Sequence, residues 1–362
     1  MIEKLLYVTL AAVGIYYLVD LAVLSRVKKR AVYRAKLLNL LMLLSVLAGF
    51  AFAIKEMTLY LFLQIVLLNI VEMCVLVLAT TGIVLIFKTS VTTNFAQGTV
   101  ATVGAFAAAK LIIYLTANTA MPMSTKLILA LVFSAVVTFL IGLFIDTVIF
   151  RNSRYSNPVG KQMITMGIVL VLFGLMPVLF GLLPLTIEAF SYFPYEIQLP
   201  NFPYPLILPA QNLIALLITV GMLVFLFAAL RFTKWGLGVR ATASNETVAG
   251  MMGVNTKLIT ALSWGIAGAF GGVAAFLFAP VGSSVTVSFM TPVQVNAFLA
   301  SILGGFSSFG GPLVGAVLIN LFSSIASFLN SVWTNVIVYV LVLLLVLVKP
   351  LGLFGKKTAK KV

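Results

Sequence analysis

About ten apolar runs, most of them close to twenty residues long, follow one another along this chain with only short polar breaks between them. A helix of about 20 apolar residues crosses the hydrocarbon core of a bilayer. The runs are continuous and rich in Leu, Ala and Val instead of alternating between apolar and polar, which argues against membrane-spanning strands. Hydrophobic residues fill 62% of the 362 positions and charged residues only 9%, a balance foreign to soluble domains. The fold class is therefore all-α and integral to the membrane. One cysteine, Cys74, lies inside an apolar run, and histidine is absent. Intrachain disulfides, a His-based triad and a His/Cys metal site are excluded on composition alone.

The formal charge of +15 raises nucleic acid as a partner, but its distribution points elsewhere. With the N-terminus outside, crossings fall near 5–24, 36–54, 59–87, 98–116, 126–149, 162–183, 211–230 and 259–279. A half-inserted segment at 292–303 then returns as 312–329, and 332–348 brings the chain back inside. This alternation leaves Lys4, Lys55 and Lys126 outside and Lys110 near an outer helix end, with every other Lys and Arg on the cytoplasmic side. Such a bias is the positive-inside signature of a multi-pass protein of the cell membrane. The excess charge serves topology and anionic lipid, and no nucleic-acid binding is required. The first 25 residues lack a small-x-small cleavage site and meet a basic cluster on their C-terminal side, as a retained anchor would.

Three units follow from composition. Residues 1–56 form an accessory two-helix membrane hairpin with a basic turn between Arg26 and Lys36, residues 57–356 form the functional body, and residues 357–362 form a basic cytoplasmic tail. The outer segment 184–209 is dense in proline and aromatics, which forbids a helix and favours a loop lying on the membrane surface. Small residues share helix faces at Ala101, Ala105 and Ala109, at Ala261, Gly265 and Ala269, at Gly268 and Gly272, and at Gly311 and Gly315. That spacing lets backbones approach closely where lipid supplies no hydrophobic drive between helices. Asn94 to Ala105 and Gly304 to Ala316 each set a polar or glycine-rich break before a small-residue helix, a hint of internal duplication.

The polar insert Gly238-Val-Arg-Ala-Thr-Ala-Ser-Asn-Glu-Thr-Val-Ala-Gly-Met-Met-Gly-Val-Asn255 separates two long apolar runs on the cytoplasmic side. Ser244 or Asn245 can cap a helix there, Glu246 suits its first turn, and Gly253 supplies a left-handed stop. Eight helical residues span roughly 12 Å. A helix so short is not stable alone, so something must hold it. Arg240 stands just before it, available to a carboxylate.

Four segments, in order, resemble the permease subunits of branched-chain amino acid ABC importers. Gly-x-x-Arg-Ala…Asn…Ala…Gly-Val-Asn within the insert is the first. Asn94-Phe-Ala-Gln-Gly98 followed by Gly104-Ala105 is similar to that family's Asn-Phe-Ala-(His/Gln)-Gly…Gly-Ala motif. Ile302-Leu-Gly-Gly-Phe-Ser-Ser-Phe-Gly-Gly-Pro-Leu-Val-Gly-Ala316 resembles its Leu-Gly-Gly…Gly-x-x-x-Gly-Ala turn, and Lys349-Pro-Leu-Gly-Leu-Phe-Gly355 resembles its C-terminal signature. The resemblance covers about 57–356. It implies a bundle of about ten membrane helices with a short cytoplasmic coupling helix, whose Arg240, Ala241, Asn245, Glu246, Ala249 and Gly253 meet a separate ATPase subunit. It also implies a second permease subunit, identical or not, an extracytoplasmic solute-binding protein, and a branched-chain or related amino acid as cargo. Urea, amides, sugars or nucleosides are the alternative cargoes within that superfamily. The 1–56 hairpin, Glu72, and Gln97 in place of a frequent histidine depart from the family pattern.

No Gly-x-x-x-x-Gly-Lys-(Ser/Thr) loop occurs, so ATP phosphates have no Walker A cradle in this chain. The chain then carries no cofactor and is no enzyme, and hydrolysis belongs to the partner. The candidate substrate pathway comprises Glu72, Asn94, Gln97, Gly98, Gly304 and Gly305. With 59–87 as one tilted span, Glu72 lies near mid-membrane, where a carboxylate costs at least ~2.5 kcal/mol. It either meets a substrate ammonium, or is protonated or hydrogen-bonded to a polar neighbour such as Gln64 or Asn69. In an ion-coupled secondary transporter, one alternative, Glu72 would be the proton or sodium carboxylate; a channel or scaffold is another. Thr92, Thr93, Asn94 and Gln97 precede a helix whose free amides could face an anionic group, or simply mark a helix start at the inner surface. Asp146 is expected to pair with Arg151 or Arg154.

Overall fold

A computed structural model describes residues 58–355 apart from 154–157, 201, 283, 307 and 330. The expected hairpin 1–56, the tail 357–362 and Arg154 lie outside the described residues. The described chain runs α1 (Leu59–Leu68), α2 (Ile70–Ser90), α3 (Gln97–Asn118) and α4 (Met123–Phe144), which continues as a π-helical turn over Ile145–Phe150. Next come α5 (Pro158–Phe180), the strands β1 (Pro194–Ile197) and β2 (Leu206–Pro209), α6 (Ala210–Phe232), α7 (Lys234–Ser244) and α8 (Glu246–Met251). The last four are α9 (Thr256–Phe278), α10 (Thr291–Gly304), α11 (Gly310–Leu329) and α12 (Thr334–Val348). Among the described residues, seven helices are long and apolar enough to cross a membrane: α2, α3, α4 with its π turn, α5, α6, α9 and α11.

The centre of the bundle is α9, which packs on α4, α2 and α3. Its small-residue face explains why. A Cβ added at Gly268 would collide with the Thr138 carbonyl of α4, and one at Gly142 of α4 would collide with the Trp264 carbonyl of α9. Gly104 of α3 and Gly272 of α9 bring their backbones together beside Ser134 and Thr138. Ser134 Oγ donates to the Gly272 carbonyl at 3.1 Å, a polar tie of the kind that holds helices together in lipid. On the other side of α2 lie α10, α11 and α6, and α12 closes over α11 and α10. Helix α5 touches chiefly α3 and leaves Leu170, Val171 and Val178 exposed, as a lipid-facing helix should.

The span read as 59–87 is two helices, because the chain breaks at Asn69. The Asn69 side-chain amide donates to the Ile65 carbonyl at 2.9 Å. Asn212 of α6 donates to the carbonyls of Leu67 at 2.7 Å and Leu68 at 3.0 Å, satisfying the groups the break leaves open. The break therefore stands level with the outer end of α6. The proline-dense segment forms no helix, as its composition predicts, but carries a short antiparallel pair in which Pro194 faces Pro209 and Ile197 faces Leu206. Gln64 of α1 extends this pair, donating to the Ile207 carbonyl at 3.0 Å and accepting from the Ile207 amide at 2.8 Å.

The two segments that hinted at duplication do open helices α3 and α11. Their surroundings differ, since α3 packs on α9 and α4 whereas α11 packs on α10 and α2. Overpacking a tight helix contact costs typically about 1–3 kcal/mol. Gly268→Ala is therefore expected to lower the thermal unfolding midpoint of detergent-purified protein by several degrees. Gly174→Ala, at a position with open space around it, should leave the midpoint unchanged or slightly raised.

Candidate functional site

Three regions, with Gly304 and Gly305 at a separate place at the end of α10, hold the residues singled out by sequence, and each is built differently. The first is the inner turn between α6 and α9. Thr233 caps α7 by accepting from the Gly236 amide at 3.1 Å. Asn245, not Ser244, caps α8, accepting from the Val248 amide at 3.1 Å. Gly253 adopts φ +83° and turns the chain toward α9, whose cap is Asn255 accepting from Leu258 N at 3.1 Å. The insert is thus two short helices instead of the single one expected. Arg240 and Ala241 belong to the first of them, and Asn245 and Glu246 open the second.

Burial divides the inner turn. Ala249 is 5% exposed and packs inward, whereas Met251 and Met252 are each 80% exposed and Val248 stands out beside them. Arg240, Asn245 and Glu246 are exposed as well. The turn presents an apolar tip with a polar shoulder, and the Met pair is the feature that sequence reasoning passed over. Behind it lies a small charged recess of about 150 Å³ lined by Asp146, Arg151, Lys161, Glu246 and Lys257, with Ser90 and Trp264 at its floor. Arg151 pairs with Asp146 at 3.7 Å and donates to the Lys257 carbonyl at 2.8 Å, while Thr260 Oγ1 donates to Asp146 at 3.2 Å. The expected pairing of Asp146 with Arg151 therefore also joins the end of α4 to the start of α9.

The second region is the break between α2 and α3. Helix α2 stops at Val91, whose φ of 49° is unusual for a β-branched residue. The chain then climbs back, so that Gln97 lies against Gly82 in the middle of α2. Helix α3 starts inside the bundle, not at its inner surface. Asn94 Nδ2 donates to Gln97 Oε1 at 3.1 Å, and Gln97 Nε2 donates to the Ala267 carbonyl of α9 at 2.6 Å. The Gly98 amide donates to Gln294 Oε1 of α10 at 2.6 Å, and Gln294 Nε2 donates to the Phe95 carbonyl. From α5, Gln162 donates to Thr93 at 2.9 Å and Thr165 accepts from the Phe95 amide at 3.2 Å. Asn94, Gln97 and Gly98, with Thr93 and Phe95 beside them, thus form a clamp that ties α3, α5, α9 and α10 together. The free amide at Gly98 is taken by Gln294, a residue that sequence reasoning did not single out.

Gly304 and Gly305 stand at the inner end of α10, where the C-terminal signature folds back. Leu353 N donates to the Leu303 carbonyl at 2.7 Å and Phe354 N to that of Gly304 at 3.3 Å. Gly305 adopts φ +88° with the backbones of Leu351 and Gly355 against it, so no side chain fits there. Glu72, on α2, lies beside the opposite end of α10, near Val293 and Asn296.

The third region surrounds Glu72, in the first turn of α2 and just below the break. That position lies next to the break and level with the start of α6, not midway along one continuous span. An inner compartment of about 200 Å³ lies among α2, α9, α10 and α11, lined by Val75, Leu76, Phe278, Val293 and Ile319 with Asn320. An outer compartment of about 470 Å³ is lined by Asn69, Ser324, Ser327, Thr334 and Asn335. Glu72, Asn296 and Ser323 line both. The Gln64 amide is engaged with β2, so it offers nothing to Glu72.

A family model described as branched-chain amino acid transport system / permease component matches residues 65–347. The chain belongs to this permease family. It is 26% identical over 294 residues to the probable branched-chain amino acid transport permease protein LivH of Methanocaldococcus jannaschii, covering 77% of this chain and 88% of that protein. Shorter matches join it to the high-affinity branched-chain amino acid transport system permease proteins LivH of Escherichia coli, 28% identical over 134 residues, and BraD of Pseudomonas aeruginosa, 25% over 150 residues. These cover 37% and 41% of this chain and 44% and 48% of the relatives, so less than half of each relative's length is spanned. As a permease component the chain is a multi-pass membrane subunit and not an enzyme.

The clamp of this permease gives a direct test. Leaving buried partners unpaired costs about 1–3 kcal/mol each. Gln294→Leu strips the Gly98 amide and the Phe95 carbonyl at once, so the unfolding midpoint should fall by several degrees or more in detergent. Gln294→Glu, which keeps the acceptor for Gly98, should fall less.

Proposed function

We propose that this chain is the membrane half of an ATP-driven ABC importer that moves branched-chain or related amino acids inward across the cytoplasmic membrane by alternating access. The observation that carries the coupling is the inner turn. It is a capped double helix whose tip exposes Val248, Met251 and Met252. Exposed methionines are adaptable apolar contacts that suit a protein partner's cleft. Helix α8 is the coupling helix, seated in a cytoplasmic ATPase subunit, with Arg240 and Glu246 as charged contacts at its edge. Ala249 acts from behind, packing the helix onto the bundle, and Asn245 and Gly253 fix its two ends.

The charged recess links this turn to the span ends. Glu246 of α8 shares it with Asp146, Arg151 and Lys257. A push on α8 then reaches α4 and α9 through groups that already bridge those helices. Two ATPase subunits, a second permease subunit and an external solute-binding protein complete the transporter. Counting the expected hairpin 1–56, the permease has about ten membrane helices. ATP is consumed by the partner, and this chain holds no cofactor. The cargo reading is supported by the family match and by the transport systems for which the relatives are named.

The test is capture of the partner. The double variant Met251→Glu, Met252→Glu should keep a monodisperse profile, because both side chains already face outward. Co-expressed with a branched-chain amino acid ABC ATPase subunit, it should retain at least about ten-fold less of that subunit on affinity purification, the loss of roughly 1.4 kcal/mol or more of binding. Wild-type recovery of the ATPase with undiminished ATP-driven uptake would contradict the assignment.

A further inference from the structure

The cleft around Glu72 has unmet acceptors, and nothing in the clamp or the coupling turn uses it. Asn320 is 5% exposed, and its side-chain oxygen is buried with no hydrogen-bond partner. The side-chain oxygen of Asn296 is buried and unpartnered too. Both residues line the inner compartment, and Glu72 lines it with them. Among the described residues Glu72 forms no ion pair. A carboxylate and two amide oxygens converging on one space call for a group that only donates. An ammonium, with three N–H donors and no acceptor, has that chemistry.

The rest of the lining sets the shape of what carries the ammonium. Beneath these acceptors the inner compartment is walled by Val75, Leu76, Val293, Ile319 and Phe278, which suits an aliphatic side chain. Above them the outer compartment offers Ser327 and Asn335, neutral groups able to donate to a carboxylate near water. Among the described residues no Lys or Arg lines either compartment, so the ammonium of a ligand meets no competing cation there.

We propose that this cleft is a binding site for a zwitterionic aliphatic amino acid, held by Glu72, Asn296 and Asn320 at its ammonium, with the side chain inward and the carboxylate toward the outer mouth. The inference rests on the importer reading above and names the residues that first receive the cargo. Glu72 fixes the charge requirement, Asn320 and Asn296 complete the donor count, and the Val/Leu/Ile wall sets the preference for branched side chains. The start of α10 brings Asn296 to the cleft on one face, while Gln294 on another face holds the clamp. Movement of α10 would therefore disturb cargo site and clamp together.

Equilibrium binding of radiolabelled L-leucine to the purified full chain in lipid nanodiscs tests this. Leucine should bind, 3-methylbutylamine should compete, and 4-methylpentanoate, which lacks the ammonium, should not. Glu72→Gln should weaken leucine binding at least about ten-fold, as removal of a charged partner does. Asn320→Leu should weaken it less, and Glu72→Gln should keep the wild-type unfolding midpoint. Replacing sodium with choline should change nothing. The proposal is overturned if Glu72→Gln binds leucine as wild type does, if 4-methylpentanoate competes as well as the amine, if binding requires sodium, or if wild type binds no leucine at millimolar concentration. ATP-driven leucine uptake by the assembled transporter would survive each of these, so failure of the cleft and failure of the importer reading are separable.

Discussion

Close backbone contact between α9 and its neighbours is the constraint on which the rest depends. In lipid, apolar side chains gain little from leaving their surroundings for one another, so packing and a few polar ties hold helices together. Gly268, Gly272 and Gly142 let α4 and α9 meet with main chain against main chain, and Gly82 lets α2 close on the other side. That approach puts the Ala267 carbonyl within reach of Gln97. Once Gln97 is held there, α3 has to start inside the bundle, and α10 has to bring Gln294 to Gly98. A single tightly packed helix thereby fixes the start of α3 and the place of α10 beside it.

The two interior polar regions then separate by how well their groups are satisfied. Buried polar groups are ordinarily paired, and a paired network rigidifies. The clamp of Asn94, Gln97, Gly98 and Gln294 is paired throughout, which makes it a joint among four helices. The cleft at Glu72 has a carboxylate and two orphaned amide oxygens beside an apolar wall. A fold keeps such unmet acceptors at a cost, and that cost is offset when a ligand brings the donors. The contrast distinguishes a joint from a receptacle better than residue identity does, since side-chain amides set within apolar helices furnish both regions. Beside the exposed tip, the pairing of Arg151 with Asp146 and Lys257 plays the joint's role again, linking two span ends.

Much of the architecture is readable from periodicity and composition, because lipid imposes apolar length on every crossing. The spans 98–116, 211–230, 259–279 and 312–329 sit within a few residues of α3, α6, α9 and α11. The break at Asn69 escapes that reading, since a run of apolar residues gives no sign that Asn212, 143 residues later in chain order than Asn69, supplies the hydrogen bonds that permit a break. The cap at Asn245 and the stop at Gly253 are legible because both rest on local chemistry. The inward direction of Ala249 is not, as it depends on how α7 and α8 lie against the bundle. Gln294, Asn296 and Asn320 are visible in hindsight as polar residues within apolar helices. Only tertiary contact shows that the first is satisfied and the other two have unpartnered oxygens.

The most direct measurement is leucine accumulation in proteoliposomes that hold this permease with its partner permease and ATPase subunits, with the solute-binding protein outside. Accumulation against a gradient should occur only when ATP is trapped inside, and should persist after sodium and proton gradients are collapsed. Accumulation driven by an ion gradient through this chain alone, without nucleotide and without the ATPase, would contradict it.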